Sequence, residues 1–279
     1  KLLDSKLTSK ILEFSSSHAD KDLENFDFKY EMQYKNSFDT AVQDLQRASV
    51  QPGNDAWENF LMGAILGVDA IHELRKEDFL DAINAASNDS YAMALSERSG
   101  QQEDDQGGQE QYAFYYRTSH FQFDSAWLHN DSELDEFQRE PFISTFNLIS
   151  QNGTILEDMT FITVHTKPAD AVNETAALHN VVQTLKQNST ESDIIVLGDF
   201  NADCSFASTY ELNQLEIRNP DYFWVVPDSA DTTFSENTHC AYDRIVMTSD
   251  VDGRFFGRWG VDRNMSDSDV SDHFPVMFW

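Results

Sequence analysis

The feature that most constrains this chain is a set of short β-branched and aromatic runs that each meet a polar side chain at one end. Thr160-Phe-Ile-Thr-Val runs into His165, and Ile194-Ile-Val-Leu-Gly runs into Asp199-Phe-Asn201. Asp243 opens Arg244-Ile-Val-Met, and Ser271-Asp272-His273 opens the last apolar run. Upstream, Ala70-Ile-His ends at Glu73 and Met93-Ala-Leu-Ser ends at Glu97. Runs of about 4–8 such residues bounded by polar or turn-forming residues read as strands. Strands are expected at Tyr91–Leu95, Tyr112–Arg117, Phe142–Ile149, Thr160–His165, Asp193–Leu197, Phe223–Val226, Asp243–Met247 and Pro275–Trp279, with a further buried one around Val68–Leu74. Helices are expected over Lys1–Phe14, Asn54–Leu66, Glu77–Ala86 and Ala171–Gln187, and a polar loop over Ser99–Glu110. Many strands with a few helices predict an α/β (α+β) fold, in which packed sheets are covered by helices.

Side chains at the tips of neighbouring strands converge on one rim. A single polar residue there reads as a solvated loop group. Six tips carrying Asp, Glu, Asn or His read as a site. Hard oxygen ligands such as Glu73, Asp272 and Asn201 suit Mg²⁺, Mn²⁺ or Ca²⁺. Two histidines, each able to pair with a carboxylate, suit proton transfer near neutral pH. Zinc is disfavoured, because the chain has neither a Cys pair nor a His-x-x-x-His spacing of the usual kind. The chemistry that uses such a set is metal-assisted attack of water on a phosphate ester.

Composition restrains this reading. Lys and Arg total 19 against 49 Asp and Glu, a formal charge of −30. A polyanion binder normally presents a basic surface, so the net charge argues against nucleic acid as a partner. No run approaches the ~18 apolar residues of a membrane span. The two cysteines, Cys204 and Cys240, read equally as one disulfide or as two buried thiols. The start at Lys1 and the Asn-x-Ser/Thr triplets at Asn88, Asn130, Asn152, Asn173, Asn188 and Asn264 favour a secreted glycoprotein and so a disulfide-permissive compartment.

Gly198-Asp-Phe-Asn-Ala-Asp-Cys-Ser, Pro227-Asp-Ser-Ala-Asp-Thr-Thr, Cys240-Ala-Tyr-Asp-Arg-Ile-Val and Ser271-Asp-His-Phe-Pro-Val resemble the deoxyribonuclease I family. So do Phe137-Gln-Arg-Glu-Pro and Val164-His-Thr-Lys-Pro-Ala-Asp-Ala-Val, and the wider group is the endonuclease/exonuclease/phosphatase superfamily. The resemblance covers residues 68–279 well and the first 50 poorly. It implies a four-layer sandwich of two mainly antiparallel sheets flanked by helices, with 46–279 as the catalytic domain and 1–45 as an extension of unassigned role. It further implies a His165–Glu97 pair, a His273–Asp243 pair, metal ligands Glu73 and Asp272, and Asp199 and Asn201 positioning metal, water and phosphate. Arg75, Arg139 and Tyr242 match substrate-contacting positions. The same resemblance pairs Cys204 with Cys240, and places structural calcium at Asp231 and Thr233 and at Asp135, Phe137 and Glu140.

The implied activity is a secreted, monomeric endonuclease acting on DNA with Mg²⁺ or Mn²⁺ at the active site and Ca²⁺ in a structural role. Two departures stand against it. Ala48-Ser-Val-Gln51 carries Gln where the family pattern ends in a metal-site Asn, with Asn36 as another candidate, and His72 replaces a usual Gln. Gln51 and the charge keep open a catalytically weakened binding module. A superfamily phosphatase shares Asp-x-Asn and Ser-Asp-His, but leaves Asn-Ala-Asp-Cys and Cys-Ala-Tyr-Asp unexplained.

Overall fold

A computed structural model describes residues 74–100, 109–188, 192–252, 255, 257–263 and 271–278. The expectations for Gln51, Asn36, His72, Glu73, the elements upstream of residue 74 and the boundary at 45/46 lie outside the described residues. Arg75 falls in the first described helix, but its side chain lies outside them too.

In chain order the elements are α1 (Leu74–Ala86), β1 (Tyr91–Leu95), β2 (Ala113–Arg117), β3 (Phe121–Leu128), β4 (Phe142–Ile149), β5 (Ile155–His165), α2 (Ala171–Asn188), β6 (Ile194–Asp199), α3 (Thr209–Leu212), β7 (Tyr222–Trp224), β8 (Asp243–Thr248), α4 (Ser249–Asp252), β9 (Trp259–Val261) and β10 (Val276–Phe278). Six strands form one mixed sheet in the order β3-β4-β5-β6-β8-β7, while β1-β2 and β9-β10 form antiparallel pairs. Within the large sheet only β5 and β6 run parallel, joined by the crossover helix α2.

The central strands are buried on both faces, which is why they read as nearly continuous apolar runs. Their period of two sends Met159, Phe161, Ile195, Leu197, Ile245 and Met247 to one face, where they meet Phe114 of β2 and Val276 and Phe278 of β10. The alternate set, Ile162, Val164, Ile194, Val196 and Val246, packs on Ala177, Leu178, Val181 and Val182 of α2. On the far side of β2, Tyr115 meets Phe79 of α1 edge-on with ring centroids 5.0 Å apart. Helix, small sheets, large sheet and helix make up the α/β sandwich, with the sheet-to-sheet core in the middle.

Two strands escaped the sequence pattern. In β3 the pairing shifts between Phe123 and Ser125, so its apolar residues change face midway and the alternation is lost. β9 is three residues long, too short to show a period.

Candidate active site

Three adjacent strands deliver their last or first residue to the same rim. His165 ends β5, Asp199 ends β6 and Asp243 begins β8. The ladders place His165 beside Asp199 and Asp199 beside Asp243. All three occupy positions whose neighbours two residues away face the sheet-to-sheet core, so their side chains crown that core. Gly198 makes the close spacing possible. Its φ is 134°, and an added Cβ would lie 2.0 Å from the Val164 carbonyl oxygen. Asn201 follows in a left-handed turn (φ 47°), its backbone N–H donating to Asp199 Oδ1 at 2.8 Å and its Nδ2 to the Thr166 carbonyl at 2.9 Å. That commits the amide nitrogen and leaves the side-chain oxygen as the atom suited to a ligand.

His273 comes from the segment before β10 and is tied to Thr233 by an isolated antiparallel bridge. Its Nδ1 donates to Asp243 Oδ2 at 2.8 Å, and Asp199 Oδ2 lies 3.9 Å away. Tyr242 stacks on the ring with centroids 5.9 Å apart, and Phe206 lies against Tyr242 in turn. Tyr242, expected to contact substrate, is thus at the rim but mostly buried.

His165 corrects the sequence reading. Its Nδ1 donates to Glu110 Oε2 at 2.7 Å, and its partner is Glu110 rather than Glu97. Glu97 is exposed, and its backbone carbonyl takes the Ser96 hydroxyl. In sequence Glu110 closes a polar stretch, Ser99–Glu110. It faces Ser99 in an antiparallel bridge just ahead of β2, which carries it to the strand-tip rim. The signal that could have found it is its place two residues before Tyr112, whose hydroxyl accepts the His165 backbone N–H at 3.1 Å.

Arg139 is mostly buried, and Nη1 donates to Glu110 Oε1 at 2.9 Å. Nε donates to the His165 carbonyl at 3.0 Å and Nη2 to the Thr166 carbonyl at 3.1 Å. Buried Glu174, on the first turn of α2, accepts the backbone N–H groups of Gln138 and Lys167 and straps the Arg139 segment to the turn after β5.

The electrostatics follow from this crowding. Burial, then the Asp243 charge, pushes the Asp199 carboxyl up to about 6 against the pull of both histidines. Burial opposes charge on His273, but the Asp243 hydrogen bond and charge, with Asp199 and Asp272, outweigh it and raise the ring to about 9. His165 is raised for the same reasons, burial being overcome by its Glu110 hydrogen bond and the Asp199 and Glu110 charges. Because ionised carboxylates only accept, both rings donate from Nδ1 and present Nε2 to the rim. His165 Nε2 stands 3.4 Å from Asp199 Oδ2.

The metal expectations divide. Asp272 is exposed on the same rim, next to His273. Asp199, Asp272 and the Asn201 oxygen are donors of the type that a hard divalent cation takes. Asp231 fits a calcium ion poorly. Its Oδ1 already accepts the Thr233 N–H and hydroxyl at 3.2 and 2.9 Å, and its Oδ2 lies 3.0 Å from His239 Nδ1 and 3.1 Å from Arg263. At the other expected calcium position Asp135 is exposed, the Phe137 N–H donates to Asp131, and Glu140 accepts the Ser99 hydroxyl at 2.6 Å. Among the described residues no three His, Cys, Asp or Glu side chains gather as a ready metal cage. Cys204 and Cys240 form a disulfide, with Cα atoms 5.9 Å apart.

Residues 54–273 match the profile of the Endonuclease/Exonuclease/phosphatase family. The chain belongs to that family. A deoxyribonuclease-1 from Equus caballus is 30% identical over 247 residues, covering 80% of this chain and 84% of that protein. This places the chain among the deoxyribonuclease I-like members. A deoxyribonuclease-1-like 1 from Chlorocebus aethiops is 40% identical over 139 residues, which is 50% of this chain but only 45% of that relative. An endonuclease/exonuclease/phosphatase family protein from Leptotrichia buccalis shares the fold, with a TM-score of 0.54 at 15% identity over 88% of this chain and 92% of the other.

Proposed function

We propose that the chain is a secreted, divalent-metal-dependent endonuclease that hydrolyses DNA phosphodiester bonds by in-line attack of water. The observation that carries this is the pair of histidines, His165 and His273, each fixed at Nδ1 by its own carboxylate and both facing Asp199. Two imidazoles presented in this way can take a proton from the attacking water and give one to the leaving oxygen. The carboxylate partners raise both rings, so either can carry the proton given to the leaving oxygen. Glu110 and Asp243 hold the rings in the tautomer that presents Nε2 and stabilise whichever ring is charged. Asp199, between the rings, orients the attacking water. Asn201 offers its amide oxygen. Asp199, Asn201 and Asp272 would hold the cation, with Glu73 as the fourth candidate. When bound, such a cation neutralises charge developing on the phosphate.

The disulfide supports an oxidising compartment, and the family relatives named deoxyribonuclease support DNA as substrate. Plasmid nicking with Mg²⁺, Mn²⁺ and Ca²⁺, alone and combined, tests the reading. His165→Ala and His273→Ala should each lower turnover by about 10²–10⁴ while the fold survives. Near-parent nicking by both variants would remove the assignment, and release of inorganic phosphate from monoesters without nicking would favour a phosphatase.

A further inference from the structure

Arg139 matches a substrate-contacting position of the family, and its surroundings give it a further task. The side chain is only 10% exposed, and three of its donors are spent on protein acceptors. Glu110 is gripped at both oxygens: Arg139 Nη1 holds Oε1 at 2.9 Å and His165 Nδ1 holds Oε2 at 2.7 Å. A carboxylate bound at one oxygen alone can rotate about its terminal torsion. With Oε1 anchored, Oε2 has one direction left, and it points at the imidazole. The other two donors of Arg139 hold the carbonyls of His165 and Thr166, so the same guanidinium fixes the backbone that carries the ring. The Thr166 carbonyl also accepts Asn201 Nδ2, which extends the network to the turn after β6.

From this geometry we infer that Arg139 is a positioning residue for the Glu110–His165 pair, whatever its two remaining N–H groups meet. The inference rests on the nuclease reading of the site. It also accounts for the residue type. The three acceptors diverge around a planar fork, and guanidinium nitrogens can face all of them at once, whereas a lysine offers its donors from a single nitrogen. A residue touching a phosphate would tolerate lysine far better, because a point charge suffices there.

The test compares Arg139→Lys and Arg139→Ala with the parent in steady-state nicking, and by NMR of the His165 Nδ1 proton in the free protein. A positioning role predicts that Arg139→Lys loses about 10²-fold in kcat with KM little changed, as expected when a reacting group is displaced by an ångström or so. The downfield Nδ1 resonance should shift or broaden in both variants, and added guanidinium should restore part of the kcat of Arg139→Ala. The opposite pattern overturns the inference: a raised KM with kcat retained, recovery by lysine, and an Nδ1 resonance that does not move in either variant. If Arg139→Ala does not fold, the lysine variant carries the same comparison. A parent chain that nicks no DNA with any divalent cation would overturn the proposed function. The proton resonance, read without DNA, would still decide whether Arg139 sets the ring.

Discussion

The Nδ1 of His273 donates to an Asp243 carboxylate whose side chain is only 2% exposed, and the consequences of that burial can be measured. A ring raised from 6.5 to about 9 stabilises the folded chain fully below the lower value, and the contribution disappears as pH rises through the higher one. An NMR titration of the metal-free protein should place the His273 midpoint near 9. In Asp243→Asn the largest favourable partner is lost while burial remains, so the midpoint should fall to or below the ordinary histidine value. An unchanged midpoint would show that Asp243 is not what holds the proton. The two histidines differed in how far sequence could take them. Asp243 and His273 sit in motifs that name each other's family, while Glu110 lies among Gln and Gly residues that look like any polar loop. The choice between Glu97 and Glu110 depended on which carboxylate the β1–β2 pairing swung over the β5 tip.

At the scale of elements, the ends of β5, β6 and β8 form the floor of the site, and two loops close over it. The Cys204–Cys240 disulfide joins the loop that follows Asp199 to the one that precedes Asp243. Its sequence separation of 36 residues corresponds to about 3–4 kcal/mol in the chain-entropy account. Reduction, or replacement of both cysteines by serine, should therefore lower the melting temperature and the nicking rate together. A lower melting temperature with undiminished activity would show that the bridge supports the fold without shaping the site. Cysteine count alone leaves disulfide and free thiols equally open, and it is the family resemblance that pairs Cys204 with Cys240. The strand ends were legible because burial on both faces writes a continuous apolar run. β3 was not, because a bulge moves its apolar residues from one face to the other.

For the whole molecule the charge of −30 is the dominant fact, and the fold sharpens it. Arg117, Arg139, Arg244 and Lys76 are buried, so part of a small basic complement never reaches the surface. Arg139 is paired with Glu110, which offsets part of its charge at the expected positive rim. Repulsion of DNA by the acidic body then weighs more at low ionic strength, where the Debye length is about 10 Å at 0.1 M, than at 1 M, where it is about 3 Å. Nicking at fixed Mg²⁺ should hold or rise up to roughly 0.5 M NaCl before declining, and the melting temperature should rise over the same range. A steady loss of activity from the lowest salt upward would mean that counterion release at a local contact outweighs the repulsion.

The sequence by itself determined the sheet-rich α/β class, the strand tips that bear His165, Asp199, Asp243 and His273, and the motifs that define the family. It could do so because period-two burial and short contiguous motifs are local properties of the chain. Only the tertiary structure decided that Glu110 partners His165, that Arg139 grips Glu110 and that Asp231 is already taken by Arg263 and His239. Each of these joins residues between 8 and 55 positions apart. Such pairings depend on sheet register and on how loops pack, which no local pattern encodes.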